Sequence, residues 1–473
     1  MNLQTPAKII ETNYDRMACK IGVVHIGYGA FHRAHQAVYF DRYMEISQDL
    51  NWGIAAVNLR SSESSSFNKA QTAADGYLLK TTSPEGEVRY QRIRSHVAFA
   101  DWSQDVKNAE NLLNIDTVHV ATITVTESGY YLKENGSLDT DHPVIASEIA
   151  GHSASSVYSY LARALQARMT GCGKALTILC CDNIRANGRM LRANFLTYLK
   201  VCNFEALRAW VEQCVTFPCS MVDRITPRTT ELLSQEIAKK FPKQDLEPVH
   251  GESFTQWVLE RNFAGPMPDL EIVGAEFVSD VDPYEEAKIR ILNGGHTGLC
   301  YLGALAGHQT FDQPMLDPQL RAHFDNWEQK NVLPGLSLEL PFNKEDYLRE
   351  VAHRFENKAI ADDLARICMD GWSKMQIFIR PTLRSCLKQG ISPTFGYDVA
   401  ASWYVYARRV AHGTMPISYV EPFWDDLLPL LDAGREKDFA ENQQLWADLP
   451  ANYEEFVPRL CAAITGMENS WPV

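Results

Sequence analysis

Residues 21–30 read IGVVHIGYGA, and the fold class turns on this stretch. Val23, Val24 and Ile26 form a short β-prone run that stops at Gly27 and Gly29. The next segment, FHRAHQAVYFDRYMEI, carries apolar residues at helical spacing. Strand, Gly27-x-Gly29, helix is the layout of a dinucleotide-binding turn. The glycines let the backbone approach a pyrophosphate, and the helix N-terminus offers free N–H groups and the positive end of its dipole. His32 stands where the fingerprint has its third glycine, so the turn taken alone also fits a sharp corner that binds nothing.

Reading outward, WGIAAVNL at 52–59, TVHVATITV at 117–125 and LTILCC at 176–181 are further short apolar runs. They alternate with helical segments, which predicts an α/β fold with an open parallel sheet. Leu78, Leu79, Val88, Ile93 and Val97 resemble hairpin material, so a mixed sheet is allowed. Beyond about residue 280 the period is helical, in 283–307, 345–370, 396–412 and 455–467. The expected domains are therefore a Rossmann-type 1–280 and a mainly α-helical 281–473. Pro314, Pro318, Pro334 and Pro341 mark 309–344 as an irregular connection.

The 473 residues hold 45 Lys+Arg against 59 Asp+Glu, a net charge of −14. Such a chain repels phosphate backbones and anionic lipid, which argues against nucleic acid or a membrane surface as partner. No apolar run is long enough for a membrane span, and residues 1–22 lack the apolar core of a signal peptide. Eleven cysteines, an odd number without any CxxC, read as reduced thiols of a cytoplasmic protein. His32 and His35 are spaced HxxH, but no carboxylate or cysteine accompanies them at ligand spacing, and no metal is expected.

In a dinucleotide fold an acid beyond the second strand bonds the ribose hydroxyls. Glu63 can fill that place and would repel a 2′-phosphate, favouring NAD. Arg60 could instead attract that phosphate, which keeps NADP open.

Residues 282–296 read DPYEEAKIRILNGGH. Asp282, Pro283 and Glu285 form a helix start with a capping box. At about 100° per residue, Lys288, Asn293 and His296 fall near 0°, 140° and 80°. Gly294 and Gly295 each weaken a helix by roughly 1 kcal/mol against Ala, so something must approach closely there. The chemical reading is a zinc-free alcohol dehydrogenase. Lys288, with its pKa lowered by burial or a neighbouring cation, takes the hydroxyl proton. Asn293 bonds the developing alkoxide, and His296 orients a neighbouring hydroxyl. The bland alternative is a surface lysine with a packed Asn–His pair.

GVVHIGYGAFHRAHQAVYFD, ITVTESGYY, CCDNIRANG, TFPCSMVDRITP, ESFTQWVLE and KIRILNGGH follow one another along the chain. In this order they resemble the polyol-specific long-chain dehydrogenases, a family of mannitol 2-dehydrogenases, arabinitol dehydrogenases and hexuronate reductases. The resemblance spans about residues 20 to 465 and rests chiefly on Lys-x4-Asn-x2-His. It implies an expanded Rossmann-type domain, a helical domain and an active site between them. It implies Lys288 as general base, Asn183 and Asn293 as the pair polarising the reacting oxygen, and Glu127 as a proton relay. His296, Asp223, Arg366 and Lys374 are the implied substrate ligands. Gly27, Gly29, Phe31 and Arg33 match the cofactor loop, and Glu63 the NAD-selecting acid, displaced by one serine.

The expected reaction is NAD-dependent interconversion of a C5–C6 polyol and its ketose, mannitol and fructose first, arabinitol and xylulose next. The substrate is a small molecule, and the protein is expected to act as a monomer. A hexuronate reductase is the alternative. Its carboxylate substrate wants an extra fixed cation, for which Arg380 is the candidate, although Ser373 stands where such reductases tend to have glutamine. Trp372 is expected to reshape the pocket beside Lys374. A non-catalytic NAD-binding sensor would have lost the base or an oxygen-polarising asparagine, and Lys288, Asn183 and Asn293 are all present.

Overall fold

Six strands carry the first part of the chain: β1 Ile21–Ile26, β2 Gly53–Asn58, β3 His96–Asp101, β4 Val120–Ile123, β5 Leu176–Cys180 and β6 Val215–Thr216. They lie in the order β3-β2-β1-β4-β5-β6, and every pairing is parallel. This is the doubly wound order, in which the winding reverses between β1 and β4. The computed structural model describes residues 8–72, 75–133, 135–242, 247–415 and 417–470.

The strands read as continuous apolar runs because both sheet faces are covered. Val24, Ile26, Val57, Ile123 and Ile178 pack into one core, and Val23, Ile54, Val120 and Leu179 into another. The hairpin at 78–99 is present in part, as Tyr77–Thr82 paired antiparallel with Val88–Ile93. It does not mix the main sheet. It builds a separate four-stranded sheet with Ile9–Ile10 and Pro248–Glu252, where Leu78 and Tyr90 pack on Leu233 and Ile237. Val97 belongs instead to β3. A third sheet joins Ser220–Asp223, Gln256–Glu260 and Glu276–Val278.

The chain divides into two units. One is Met1–Thr82 with Glu87–Val281, the other Ser83–Gly86 with Asp282–Val473. The second is helical. The stretch 309–344 is not the irregular connection expected, since it holds helices Asp312–Leu316 and Pro318–Trp327 and a π-helical turn Glu328–Val332. Pro318 sits in the first turn, behind Asp317 as N-cap. A proline there loses no hydrogen bond, so it starts a helix rather than ending one. The 345–370 segment splits into Lys344–Phe355 and Leu364–Cys368. Among the described residues no helix is long and apolar enough to cross a membrane.

Candidate functional site

The first unit has a cleft at the C-terminal ends of β1, β2 and β4. Its lining includes Gly27, Tyr28, Gly29, Asn58, Arg60 and Glu63 from the turns after β1 and β2. Open α/β sheets bind ligands where the winding reverses. Gly27 has φ +97°, and a Cβ there would lie 2.0 Å from the carbonyl oxygen of Thr124. Only glycine lets β1 and β4 close so tightly. A Cβ on Gly29 would meet nothing within 4 Å, so that glycine borders open space at the start of helix α1, Ala30–Ala34.

The missing third glycine has a packing reason. His32 lies flat on His25 of β1, with centroids 3.2 Å apart and planes 8° apart. The stacked rings fill the space between helix and strand where a glycine elsewhere allows close approach. His32 Nε2 also meets His96 Nε2 at 2.9 Å, while His35 Nε2 meets the carbonyl of Gln256 at 2.8 Å. Burial pushes both the His32 and His96 rings well below the usual histidine range, so they are neutral. The expected single helix over 31–46 breaks at His35 into α1 and α2, Gln36–Ser47.

Phe31 is partly buried against His35, its ring centroid 5.0 Å away. Arg33 lies over the Tyr28 ring at 5.2 Å and pairs with Glu247 at 3.0 Å. Glu63 and Arg60 both line the cleft and approach each other to 3.7 Å, each about half exposed. The opposite wall contains Ser155, Ser156 and Val157, at the start of helix α3, Val157–Thr170. Glu148 fixes that corner by accepting from the backbone N–H groups of Ser155 and Ser156 at 2.6 and 2.7 Å. Two glycines, helix starts and an acid over open space fit the polar half of a dinucleotide.

Three more residues of this unit had been assigned roles. Glu127 is exposed and opens the turn Glu127–Tyr130. Asn183 is exposed in the bend after β5. Asp223 is buried at the end of strand Ser220–Asp223, and its neighbour Arg224 donates to the carbonyl of Glu252 at 2.9 and 2.7 Å.

In the second unit, Lys288 and Asn293 stand at the two ends of a π-helical segment, Lys288–Asn293, inserted between α-helices Asp282–Ala287 and Gly294–Leu305. Hydrogen bonds of the i→i+5 type widen the turn. Residues five apart then come onto nearly the same face, so the separation of about 140° expected for an α-helix closes. Lys288 is buried. Asn293 Nδ2 is buried without a hydrogen-bond partner.

His296 lies between two phenylalanines, stacked on Phe355 at 4.0 Å and edge-on to Phe311 at 4.5 Å. Burial first, then the charges of Arg366, Lys374 and Arg354, hold it well below the usual histidine range. It is a neutral ring among cations. Lys374 is also pushed down, first by burial and with help from Arg366, while Cys300, Cys368 and Asp370 oppose the shift. Its ammonium donates to the carbonyl of Ile367. Arg366 pairs with Asp362, its Nε at 3.2 Å. The structure thus gathers His296, Arg366 and Lys374 around one spot. A second π turn, Met375–Ile379, follows Lys374 and packs on the first.

One expectation fails here. Trp372 is 1% exposed and stacks on Phe423 at 6.0 Å, so it is core rather than a pocket wall. A large ring flanked by other aromatics gains more from burial than from edging a polar site. Arg380 is committed to the carbonyls of Gln444 and Leu445 at 3.1 and 2.9 Å.

The close approach expected at the paired glycines is real, and its source is protein. A Cβ on Gly295 would lie 2.8 Å from Glu328 Oε1. Glu285, read in the sequence only as part of a helix cap, is buried, and residues passed over there are Glu286, also buried, together with Arg354 and Glu328. The i, i+4 spacing of Asp362 and Arg366 was a readable signal for that pair.

Residues 21–272 match the mannitol dehydrogenase Rossmann domain, and 280–467 the mannitol dehydrogenase C-terminal domain. The chain belongs to the mannitol dehydrogenase family. A D-arabinitol 4-dehydrogenase of Klebsiella pneumoniae is 36% identical, covering 92% of this chain and 95% of that protein. A polyol:NADP oxidoreductase of Gluconobacter oxydans is 36% identical over 81% and 79%. Among solved structures, a Pseudomonas fluorescens mannitol 2-dehydrogenase in ternary complex with NAD and D-mannitol superposes with a TM-score of 0.87 at 30% identity, over 98% of this chain and 94% of that one. The mannitol dehydrogenase family supplies the oxidoreductase class. The cleft and the Lys288 cluster lie within the two matched regions, one in each.

Proposed function

We propose that this protein is an NAD-dependent, metal-independent dehydrogenase that interconverts a secondary alcohol of a C5–C6 polyol and the matching ketose. The observation that carries the reading is the π segment. It begins at a buried lysine and ends at an amide whose buried N–H has no partner. Lys288 accepts the hydroxyl proton, and Asn293 donates to the oxygen as negative charge develops on it. A bound nicotinamide supplies the hydride acceptor. Neutral His296, with Arg366 and Lys374, orients the other hydroxyls, which decides the carbon that reacts. The roles of Asn183, Asp223 and Glu127 rest on the family likeness.

Gly27, Gly29 and the start of α1 would hold the pyrophosphate, and Glu63 the ribose hydroxyls. Phe31 would support that turn from its stack on His35, and Arg33, which lines a pocket sharing Tyr28, Asn58 and Glu63 with the cleft, stands beside the same end of the cofactor. Arg60 is the residue through which NADP would be accepted, and the Gluconobacter relative is named for that cofactor. Arabinitol stands beside mannitol as substrate because of the Klebsiella relative. A hexuronate would need a further fixed cation; Arg380 donates to two carbonyls through Nη1 alone, so the uronate arm below is the test of that alternative.

The test is a panel of mannitol, arabinitol, sorbitol, fructose, fructuronate and tagaturonate, each with both cofactors. Turnover of a polyol and its ketose supports the reading. Turnover confined to the uronates replaces it, and turnover with none removes it.

A further inference from the structure

We propose that Asp182 is a positioning residue that locks the rim of the cofactor cleft to the loop carrying Asn183. The inference rests on the cofactor reading of that cleft. Asp182 follows β5 and is partly buried. One carboxylate oxygen accepts the Val125 N–H at 2.9 Å and the Tyr130 hydroxyl at 2.7 Å; the other accepts the Thr126 N–H at 3.0 Å. Val125 and Thr126 line the cleft, as do Gly129 and Tyr131 in the same turn. Thr126 has φ +69°, a left-handed conformation costly for a threonine, and it persists only where the surroundings hold it. The bonds from Asp182 do the holding.

The same residue ties down the other loop. Its carbonyl accepts the Ile184 N–H at 2.9 Å and the Asn187 side-chain amide at 3.2 Å, which brackets Asn183. The Asn187 amide also donates to the Ser220 carbonyl at 2.8 Å. One carboxylate side chain therefore grips the turn after β4, while its own backbone anchors the turn after β5.

The groups facing this carboxylate are Glu127, Tyr130, Cys180 and Cys181. Arg60 reaches the carbonyl of Val125 at 3.3 Å. Burial raises Asp182 to about 6, with Glu127 adding to the shift and its three donors opposing it. Tyr130 and both thiols are pushed up by burial and stay neutral. Protonation below pH ~6 removes the charge that three donors share, so the grip loosens in acid.

The experiment compares wild type with Asp182→Asn and Tyr130→Phe. It reads amide hydrogen exchange of residues 124–131, and NAD affinity from pH 5 to 8. Loss of a charge-assisted acceptor is expected to weaken NAD binding by about tenfold in Asp182→Asn, with a smaller change in Tyr130→Phe. Exchange at Val125 and Thr126 should accelerate, and the acidic fall in wild-type affinity should flatten in Asp182→Asn. Unchanged exchange and affinity in Asp182→Asn overturn the lock. A wild type that binds neither NAD(H) nor NADP(H) overturns the cofactor reading instead.

Discussion

Trp327 donates its indole N–H to the carbonyl of Gly294 at 3.2 Å. The same ring occupies the space where a side chain at Gly298 would go, with Cδ1 2.6 Å and Nε1 2.7 Å from a Cβ there. Gly295 and Gly298 therefore leave a flat strip on one helix that receives Glu328 and Trp327, while Gly294 contributes its carbonyl. This fixes how the helix carrying Lys288 and Asn293 is seated.

Gly298→Ala should lower stability by about 1–3 kcal/mol, because neither helix nor indole has room to move. Its unfolding midpoint in urea would show this. An unchanged midpoint would mean that Trp327 has another place to go.

Gly29→Ala makes the opposite case. Its φ is −83°, and a Cβ there meets nothing. Stability should stay within about 0.5 kcal/mol of wild type, as for surface positions. NAD affinity should nevertheless fall, since the methyl group enters the space assigned to the pyrophosphate. Paired melting and NADH titration separate the two effects, and undiminished affinity would move the cofactor elsewhere.

Lys288→Ala should abolish most turnover while cofactor still binds. In wild type, alcohol oxidation should rise with pH as the base loses its proton, provided the chemical step limits the rate. His296 does not supply that limb. It is already neutral throughout, being held far below the usual histidine range. His296→Asn should therefore raise KM for the polyol and leave the shape of the pH profile alone. A profile that flattens in His296→Asn but not in Lys288→Ala would reverse the assignment.

The parallel sheet was legible because strands buried on both faces read as short, mostly apolar runs such as Val23–Ile26 and Val120–Ile123, whereas its strand order, β3 at His96–Asp101 and the two-residue β6 were not. The hairpin Tyr77–Thr82 with Val88–Ile93 was visible too, but not its partner. Pro248–Glu252 lies far along the chain, and nothing local marks it as a pairing strand. Pro318 misled, because a proline that opens a helix and one that ends it look alike without the following turn. At the site, residue types and order singled out Lys288, Asn293 and His296 as candidates, which stand on consecutive helical segments. The π segment did not show, because i→i+5 bonding depends on what packs around it. Gly294 and Gly295 announced a close approach without naming Trp327 and Glu328. Trp372 misled because adjacency in sequence to Lys374 is not adjacency of side chains.

Glu63 and Arg60 line the same cleft, and on the proposed cofactor reading one would repel and the other attract a 2′-phosphate. Glu63→Gln removes the repulsion and frees the guanidinium from its 3.7 Å partner. The ratio of kcat/KM for NADP to that for NAD should rise by about tenfold, the worth of one half-exposed charge pair plus a repulsion removed. Arg60→Ala should move the ratio the other way. A ratio unchanged in both variants would place cofactor choice on other residues of the cleft.

Asp41 gives a stability test away from the site. It is fully buried, accepts the Tyr14 hydroxyl at 2.6 Å and the Arg94 N–H at 2.8 Å, and has one oxygen without a partner. Burial pushes its carboxyl up to about 7, opposed by those two donors and the charge of Arg94, while Glu45 adds to the rise. A folded-state pKa above the unfolded one means that the native protein binds the proton more tightly. The stabilisation is complete below the unfolded value near 4 and is lost as pH rises through about 7. The whole effect is on the order of 4 kcal/mol. Asp41→Asn cannot ionise, so its unfolding free energy should fall less than that of wild type between pH 4 and 8. Urea melts across that range decide the point, and parallel curves for the two proteins would show that Asp41 enters the fold already charged.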